Sequence, residues 1–264
     1  MRWPGKLLGL AIALSATCDS FAQTKPKTVE LTVDGLKRDA IVYAPDSADK
    51  TPSPVVFGFH GHGGTAKNVA KSFNYQTHWP QAIVVYMQGV PIASKTDPEG
   101  KKSGWQNTAG IVEDRDLKFF DAVFSNLKKT HNVDEARVYA TGHSNGGGFT
   151  YLLWSARGDL FAALAPSSAG AALAKLKTLK PKPVLHVAGE TDAIVPFENQ
   201  AKTMTALRKL NGCEETGKAW ATHATLYPSA TGTPVVTVIH PGGHAFLADA
   251  PKLIVRFFKE HAKK

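Results

Sequence analysis

Cysteine is almost missing from this chain: two residues in 264, Cys18 and Cys213. Cys18 falls in an amino-terminal stretch with the form of a removable leader. Arg2 and Lys6 come first, then the short apolar run Leu7 to Thr17, then Ser20-Phe21-Ala22 in the small-x-small pattern of a cleavage site. Residues 1–22 therefore read as a signal peptide, with the mature chain starting near Gln23 and residing in a periplasm or outside the cell. Thr17 is bulkier than the residue expected before a lipidated cysteine, which counts against a lipoprotein. Cleavage leaves Cys213 alone, so no internal disulfide is expected and stability falls to the core. No role follows for Cys213 itself.

Long apolar runs are missing too. Leu7 to Thr17 is well under the roughly 18 residues that cross a bilayer, so no stable membrane insertion is expected. Charge of one sign is in excess without being concentrated. The formal net charge is +9, and loss of Arg2, Lys6 and Asp19 with the leader takes it to +8. The lysine runs stop at pairs (Lys101-Lys102, Lys128-Lys129, Lys263-Lys264), and no basic stripe carries interleaved aromatics. Nucleic-acid binding is set aside on that ground, leaving a loose attraction to acidic surfaces. Neither an internal repeat nor a low-complexity tract nor a Ser/Thr-rich linker divides the remainder, so residues 23–264 are expected to form a single domain.

What is present is an alternation of strand and helix patterns. Thr28 to Val33 and Lys37 to Tyr43 alternate around Asp34-Gly35, an opening hairpin. Pro54 to His60 and Ala82 to Tyr86 are continuous apolar runs, the mark of strands covered on both faces, with a short helix between them. Gln88 to Val112 is Gly-, Pro- and Lys-rich without periodicity, a long and therefore functional or mobile loop. Glu113 to Thr130 has Leu117, Phe120, Val123, Phe124 and Leu127 on one helical face. Further strands are expected at Ala136 to Thr141, Phe161 to Pro166, Pro183 to Ala188, Thr222 to Tyr227 and Pro234 to His240. Helices are expected at Gly147 to Trp154, Ala171 to Leu179, Phe197 to Leu210 and Leu247 to His261. An antiparallel start followed by alternation predicts an α/β domain with a mostly parallel central sheet and helices on both faces.

The chain is organised around Gly142-His143-Ser144-Asn145-Gly146, between a strand and a Gly-started apolar helix. That is the context of a nucleophile elbow: a strained turn lifts the serine hydroxyl off the sheet, and the glycines let strand and helix pass closely. A serine hydroxyl needs a base, and the base needs a group to orient it. In this sheet type the acid and then the histidine follow the serine on later strand-end loops. Asp192 lies after Pro183 to Ala188, and His244 in Pro241-Gly242-Gly243-His244 after Pro234 to His240. Glu190 competes as the acid. His240 competes as the base, but it ends an apolar strand and reads as a packed residue. The triad is assigned to Ser144, Asp192 and His244. Two backbone N–H groups should meet the developing oxyanion: that of Asn145, and one from His60-Gly61-His62-Gly63-Gly64, assigned to His62 with Gly61 next. His60 and His62 lack the Cys, Asp or HExxH company of a metal site, so no metal is expected; the chemistry requires no cofactor.

With these residues in hand a family resemblance appears. Gly104-Trp105-Gln106-Asn107-Thr108-Ala109-Gly110, Glu113-Asp114, Arg137 to Gly147, Phe161 to Pro166, Pro183 to Phe197 and Gly242-Gly243-His244 together resemble the polyhydroxybutyrate depolymerase group of α/β-hydrolases, which overlaps with feruloyl and acetylxylan esterases. The resemblance covers nearly all of the mature chain. It implies an exported serine carboxylesterase acting on a small or oligomeric ester through an acyl-enzyme: hydroxyalkanoate oligomers, or feruloyl and acetyl esters of plant walls. Trp105 is a candidate substrate-contacting aromatic, with a packing role as its alternative, and Asp114 is expected to cap the following helix in preference to touching substrate. Gln106 interrupts the family's tryptophan–asparagine pair, and the paired cysteines of many members are missing. No appended binding domain is seen, which favours soluble substrates over granules. A serine peptidase of the same fold and a non-catalytic binding module remain as alternatives, the second requiring a broken triad.

Overall fold

The computed structural model describes residues 25–172, 176 and 179–263, together with Met1. The leader expected over residues 1–22 lies outside the described residues apart from Met1, and so does most of the helix expected over Ala171 to Leu179. Among the described residues no helix is long and apolar enough to cross a membrane.

A ten-stranded sheet carries the molecule. Its strands are β1 (Lys27–Val33), β2 (Leu36–Tyr43), β3 (Ser53–Phe59), β4 (Ile83–Met87), β7 (Val133–His143), β8 (Ala163–Ser167), β9 (Val184–Gly189), β10 (Lys218–Ala221), β11 (Ala224–Tyr227) and β12 (Val235–His240). The spatial order is β1-β2-β4-β3-β7-β8-β9-β12-β11-β10. β4, β3, β7, β8, β9 and β12 run parallel, and antiparallel strands close both ends. The expected antiparallel start is the β1–β2 hairpin, turning at Asp34 (φ 49°) and Gly35 (φ 78°). The far edge adds β10, a short half-exposed strand that apolar patterning did not reveal.

The two-residue period of β3 assigns its side chains to two cores. Val55, Phe57 and Phe59 face one cluster with Phe120, Val123 and Phe124 of α3 (Arg115–Thr130) and Phe149 and Leu153 of α4 (Asn145–Arg157). Val56 faces the other, with Val69 and Ala70 of α1 (Ala66–Ser72), Tyr75 of α2 (Tyr75–His78), and Ile254, Phe257 and Phe258 of α6 (Ala250–Lys259). α5 (Phe197–Leu210) joins the first face through Leu207. Helices on both faces and a mostly parallel sheet make this an α/β-hydrolase fold.

The long 88–112 segment is less irregular than its composition predicts. Val90–Pro91 (β5) and Ser103–Gly104 (β6) pair to form a small second ladder. Beyond it, Val112, Glu113 and Asp114 all adopt positive φ (44°, 55° and 55°), so α3 begins at Arg115. Asp114 does not cap that helix. Its carboxylate accepts hydrogen bonds from the Gly110 amide and from Gln106 Nε2, each 2.8 Å, and so closes the loop instead. These contacts hold the carboxyl below its ordinary pKa.

Beneath this loop lies a buried ion pair. Arg38 Nη2 of β2 donates to Asp116 Oδ1 at 2.9 Å and to the Gln88 carbonyl, and its guanidinium sits 4.2 Å over the Phe119 ring. Asp116 Oδ2 accepts from the Gln106 amide while the Asp116 amide donates to Gln106 Oε1. Burial lowers the Arg38 pKa against the pull of Asp116. Removing one partner strands the other charge in the core, so Asp116→Ala is expected to lose about 3–5 kcal/mol of stability. Urea unfolding measures this; a loss under about 1 kcal/mol would mean that water reaches the guanidinium.

Candidate active site

Four parallel strands deliver their loops to one edge of the sheet. Ser144 follows β7, the His60–Gly64 turn follows β3, Asp192 follows β9 and His244 follows β12. Carboxyl ends of neighbouring parallel strands are where such sheets build sites. Ser144 holds φ 57° and ψ −118°, a strained backbone for a side-chain-bearing residue, and its hydroxyl does not cap α4. The turn is possible only because its flanks are bare. A Cβ on Gly142 would strike the Gly146 carbonyl, and one on Gly146 would strike the carbonyls of Phe59 and His60.

The three side chains named from the sequence meet. His244 Nε2 lies 2.8 Å from Ser144 Oγ, and His244 Nδ1 lies 3.0 and 2.9 Å from the two oxygens of Asp192. A carboxylate only accepts, so the imidazole proton sits on Nδ1, and Nε2 is the bare acceptor facing the serine hydroxyl. The Asp192 side chain is 0% exposed and that of His244 19%. Burial raises the Asp192 carboxyl, but hydrogen bonds from His244 and from the amides of Val195 and Ile194 outweigh it, and its pKa falls below the ordinary value. The two loops approach closely because Gly189 lacks a side chain: a Cβ there would meet the carbonyls of Gly242 and Gly243. Phe246 secures the histidine loop with its ring 4.4 Å from that of Phe73.

Glu190, the competing acid, points to solvent. His240 is packed, accepting from the Gly242 amide at 3.1 Å. The residue before the serine, His143, lies with its ring 5.1 Å from that of His244, and burial together with that neighbour lowers its pKa to about 4.

Around the Ser144 hydroxyl, the amide of Asn145 is the first of α4 and has no carbonyl within the helix to bond. In the turn after β3, the Gly63 amide is committed to Ser103 and that of Gly64 to Gly61. Among the described residues no backbone acceptor takes the amides of Gly61 or His62. Gly61 passes close enough that an added Cβ would lie 3.4 Å from Ser144 Cβ. The His62 ring is tied down through Nε2 by Asp97 and Ser94, both at 3.2 Å. His60 is buried with both ring nitrogens occupied, Nδ1 by the Gly61 carbonyl and Nε2 by the Gly89 amide. Among the described residues no group of three or more His, Cys, Asp or Glu is placed to hold a metal ion.

Trp105 is corrected. It is 1% exposed, its ring stacked on Phe149 at 5.2 Å and edge-on to Phe59 at 5.4 Å, with Nε1 donating to the His60 carbonyl. It packs beneath the site instead of lining it. The neighbouring backbone carries what the sequence did not announce. Asn145 Oδ1 accepts from the Trp105 amide at 2.7 Å and Nδ2 donates to the Trp105 carbonyl at 2.9 Å, clamping the loop to the elbow. Gln106 is fully buried and bonds Asp114, Asp116 and Thr108. Gln200 on α5 was also missed, although a glutamine among Thr203, Met204 and Leu207 on a buried helical stripe is a visible anomaly.

Comparison with known proteins places the chain among esterases. A family model described as acetyl xylan esterase (AXE1) matches residues 13–167. Feruloyl esterase C of Emericella nidulans is 29% identical over 213 residues, covering 78% of this chain and 76% of that protein. A bifunctional acetylxylan esterase/xylanase of Neocallimastix patriciarum is 31% identical over 173 residues, 62% of this chain and 23% of that protein. Among solved structures, an acetyl xylan esterase from Aspergillus awamori aligns with TM-score 0.66 at 14% identity, over 89% of this chain and 99% of that one.

Buried neutral histidines give the site a pH signature. His143 and His186 both have pKa values lowered to about 4, chiefly by burial, from an ordinary value of 6.5. Between those values the unfolded chain binds more protons than the folded one, so stability rises with pH and is lost as pH falls through that window. Each group contributes a slope of up to about 1.4 kcal/mol per pH unit. Urea unfolding between about pH 4.5 and 6.5 should show this slope, and His143→Gln should reduce it by one proton. An unchanged slope in that variant would show that His143 titrates normally in the fold.

Proposed function

This chain belongs to the acetyl xylan esterase family and hydrolyses carboxylic esters; from that premise we propose that it does so through an acyl-enzyme on Ser144. The observation that carries the reading is the unbroken line of contacts from Asp192 through His244 to Ser144, with Nε2 at 2.8 Å from Oγ. His244 Nε2 takes the hydroxyl proton as Oγ attacks the ester carbonyl, and Asp192 holds the imidazolium that forms. The carbonyl oxygen takes up the negative charge and turns toward the amides of His62 and Asn145, each such donor being worth about 2.7–4 kcal/mol of barrier. Collapse breaks the bond to the alcohol oxygen, which leaves with the proton from His244. A water molecule then gives a proton to His244, attacks the acyl carbon and releases the acid, restoring the hydroxyl. No cofactor enters any of these steps.

The relatives named for feruloyl and acetylxylan ester hydrolysis support feruloyl or acetyl esters of plant-wall polysaccharide as the substrate class. Hydroxyalkanoate oligomers, the other arm of the family resemblance, belong in the same assay. Residues 1–22 are proposed as the export signal and residues 23–264 as one catalytic domain.

Ser144→Ala is expected to lower turnover on the order of 10⁴–10⁶-fold. A fluorophosphonate probe, mapped by mass, should label Ser144 and no other residue. Methyl ferulate, acetylated xylan oligomers and hydroxybutyrate oligomers assayed side by side should favour one of the first two. Retention of most esterase activity by Ser144→Ala, or faster turnover of peptide anilides than of esters, would overturn the reading.

A further inference from the structure

Behind the acid of the site runs a line of buried polar groups that the reaction as described does not use. Asp192 Oδ2 accepts from Gln200 Nε2 at 3.1 Å, and the same nitrogen donates to the Val195 carbonyl at 2.7 Å. Gln200 Oε1 faces His186 Nε2 at 3.3 Å, and His186 Nδ1 faces the Tyr151 hydroxyl at 2.7 Å. Gln200 and His186 are 0% exposed, and Tyr151 is buried on α4 between Thr150 and Leu152. Three elements contribute: α4, β9 and α5.

Each proton in this line is determined. Asp192 and the Val195 carbonyl only accept, so the amide of Gln200 must turn its nitrogen to them and its oxygen to His186. That oxygen requires a donor, so the His186 proton sits on Nε2. Nδ1 is then a bare acceptor, and Tyr151 donates to it. Burial, which lowers the His186 pKa to about 4, keeps the ring from carrying both protons. All donors therefore point the same way, from Tyr151 to His186 to Gln200 to the carboxylate. Hydrogen bonds aligned in one direction in a low-dielectric interior polarise one another, and the last of them is made to a charge. Apolar residues could fill this volume without the desolvation that a buried Tyr, His and Gln incur.

We propose that Gln200 is a positioning residue for Asp192, and that Tyr151 and His186 act through it by fixing which end of its amide faces the carboxylate. The inference rests on the serine reading above and goes beyond it. Asp192 already receives the amides of Ile194 and Val195 on Oδ1. Gln200 is the neighbour that holds Oδ2, the oxygen 2.9 Å from His244 Nδ1. Without it Oδ2 is held by His244 alone, so the carboxylate can pivot about its Oδ1 contacts and the imidazole loses the orientation that aims Nε2 at Ser144.

The test compares Gln200→Met with Tyr151→Phe, with active sites counted by fluorophosphonate titration so that misfolded protein does not enter. Gln200→Met should lower kcat about 10–100-fold while KM for p-nitrophenyl acetate stays within about twofold. The downfield proton resonance of His244 Nδ1–H should move or broaden in the same variant. Tyr151→Phe, two links further away, should lower kcat only about two- to fivefold, yet lose at least as much thermal stability because it leaves His186 Nδ1 unpaired. A purely structural role would instead make activity follow stability. A folded Gln200→Met with kcat within about twofold and an unmoved resonance would overturn the proposal. Should Gln200→Met not fold, Tyr151→Phe decides: wild-type kcat together with an unmoved resonance overturns the proposal. Activity in Ser144→Ala would sink the serine reading itself, whereas an inactive Ser144→Ala beside a wild-type-like Gln200→Met sinks this inference alone.

Discussion

The constraint on which the rest depends is the close passage of the end of β7, the start of α4 and the end of β3. Backbone meets backbone there: an added Cβ at Gly146 would run into the Phe59 and His60 carbonyls, and one at Gly142 into Gly146 itself. Because α4 sits this tightly against the sheet, the turn after β3 passes beside the elbow, close enough that a Cβ added to Gly61 would lie 3.4 Å from Ser144 Cβ. The serine pays with a left-handed backbone, φ 57°. Strain of roughly 1–3 kcal/mol persists only where surrounding structure over-determines it. Here the Ser144 amide bonds the Ser167 carbonyl of β8, and the helix behind it is packed through Phe149 and Leu153.

The same crossing reaches far into the molecule through side-chain amides. Asn145 grips both backbone groups of Trp105, and the next residue, Gln106, is bound by Asp116, which pairs with Arg38 of β2, three strands from β7 toward one edge of the sheet. A loop that looked featureless is thus tied to the elbow at one end and to a buried ion pair at the other. Buried polar groups are costly to leave unpaired, so the bonds among Trp105, Gln106, Asn145 and Asp116 favour the loop conformation that makes them all. The aromatic ring of Trp105 then becomes a plug between Phe59 and Phe149 and not a surface for substrate.

Much of this was readable in one dimension. Strands buried on both faces show as unbroken apolar runs, and β3, β4, β9 and β12 fall within a residue of where Val55, Val85, Val187 and Val236 place them. α5 was legible to its end residues because one apolar stripe coincides with a proline before it and an asparagine after it. β10 was not, because an edge strand with one wet face and four residues has no periodicity to show. The start of α3 was misplaced because no pattern announces three consecutive residues of positive φ at Val112, Glu113 and Asp114. Asp114 looked like a cap by position alone, and its actual partners, Gly110 and Gln106, are set by the fold of the loop.

The sequence by itself determined the fold class and the order of most of its elements, and it singled out Ser144, Asp192 and His244 as side chains that should meet, since those readings follow from local pattern and from the fixed order of strand-end loops. Only the tertiary structure decided which side chains are buried against which. That covers the packing of Trp105, the orientation of the Gln200 amide, the tautomers of His186 and His244, and the pairing of Arg38 with Asp116 across 78 positions of sequence. The physical reason is the range of the interactions. Propensity and periodicity act over a few neighbouring residues, while hydrogen bonds and ion pairs in the core join groups that only folding brings within about 3 Å.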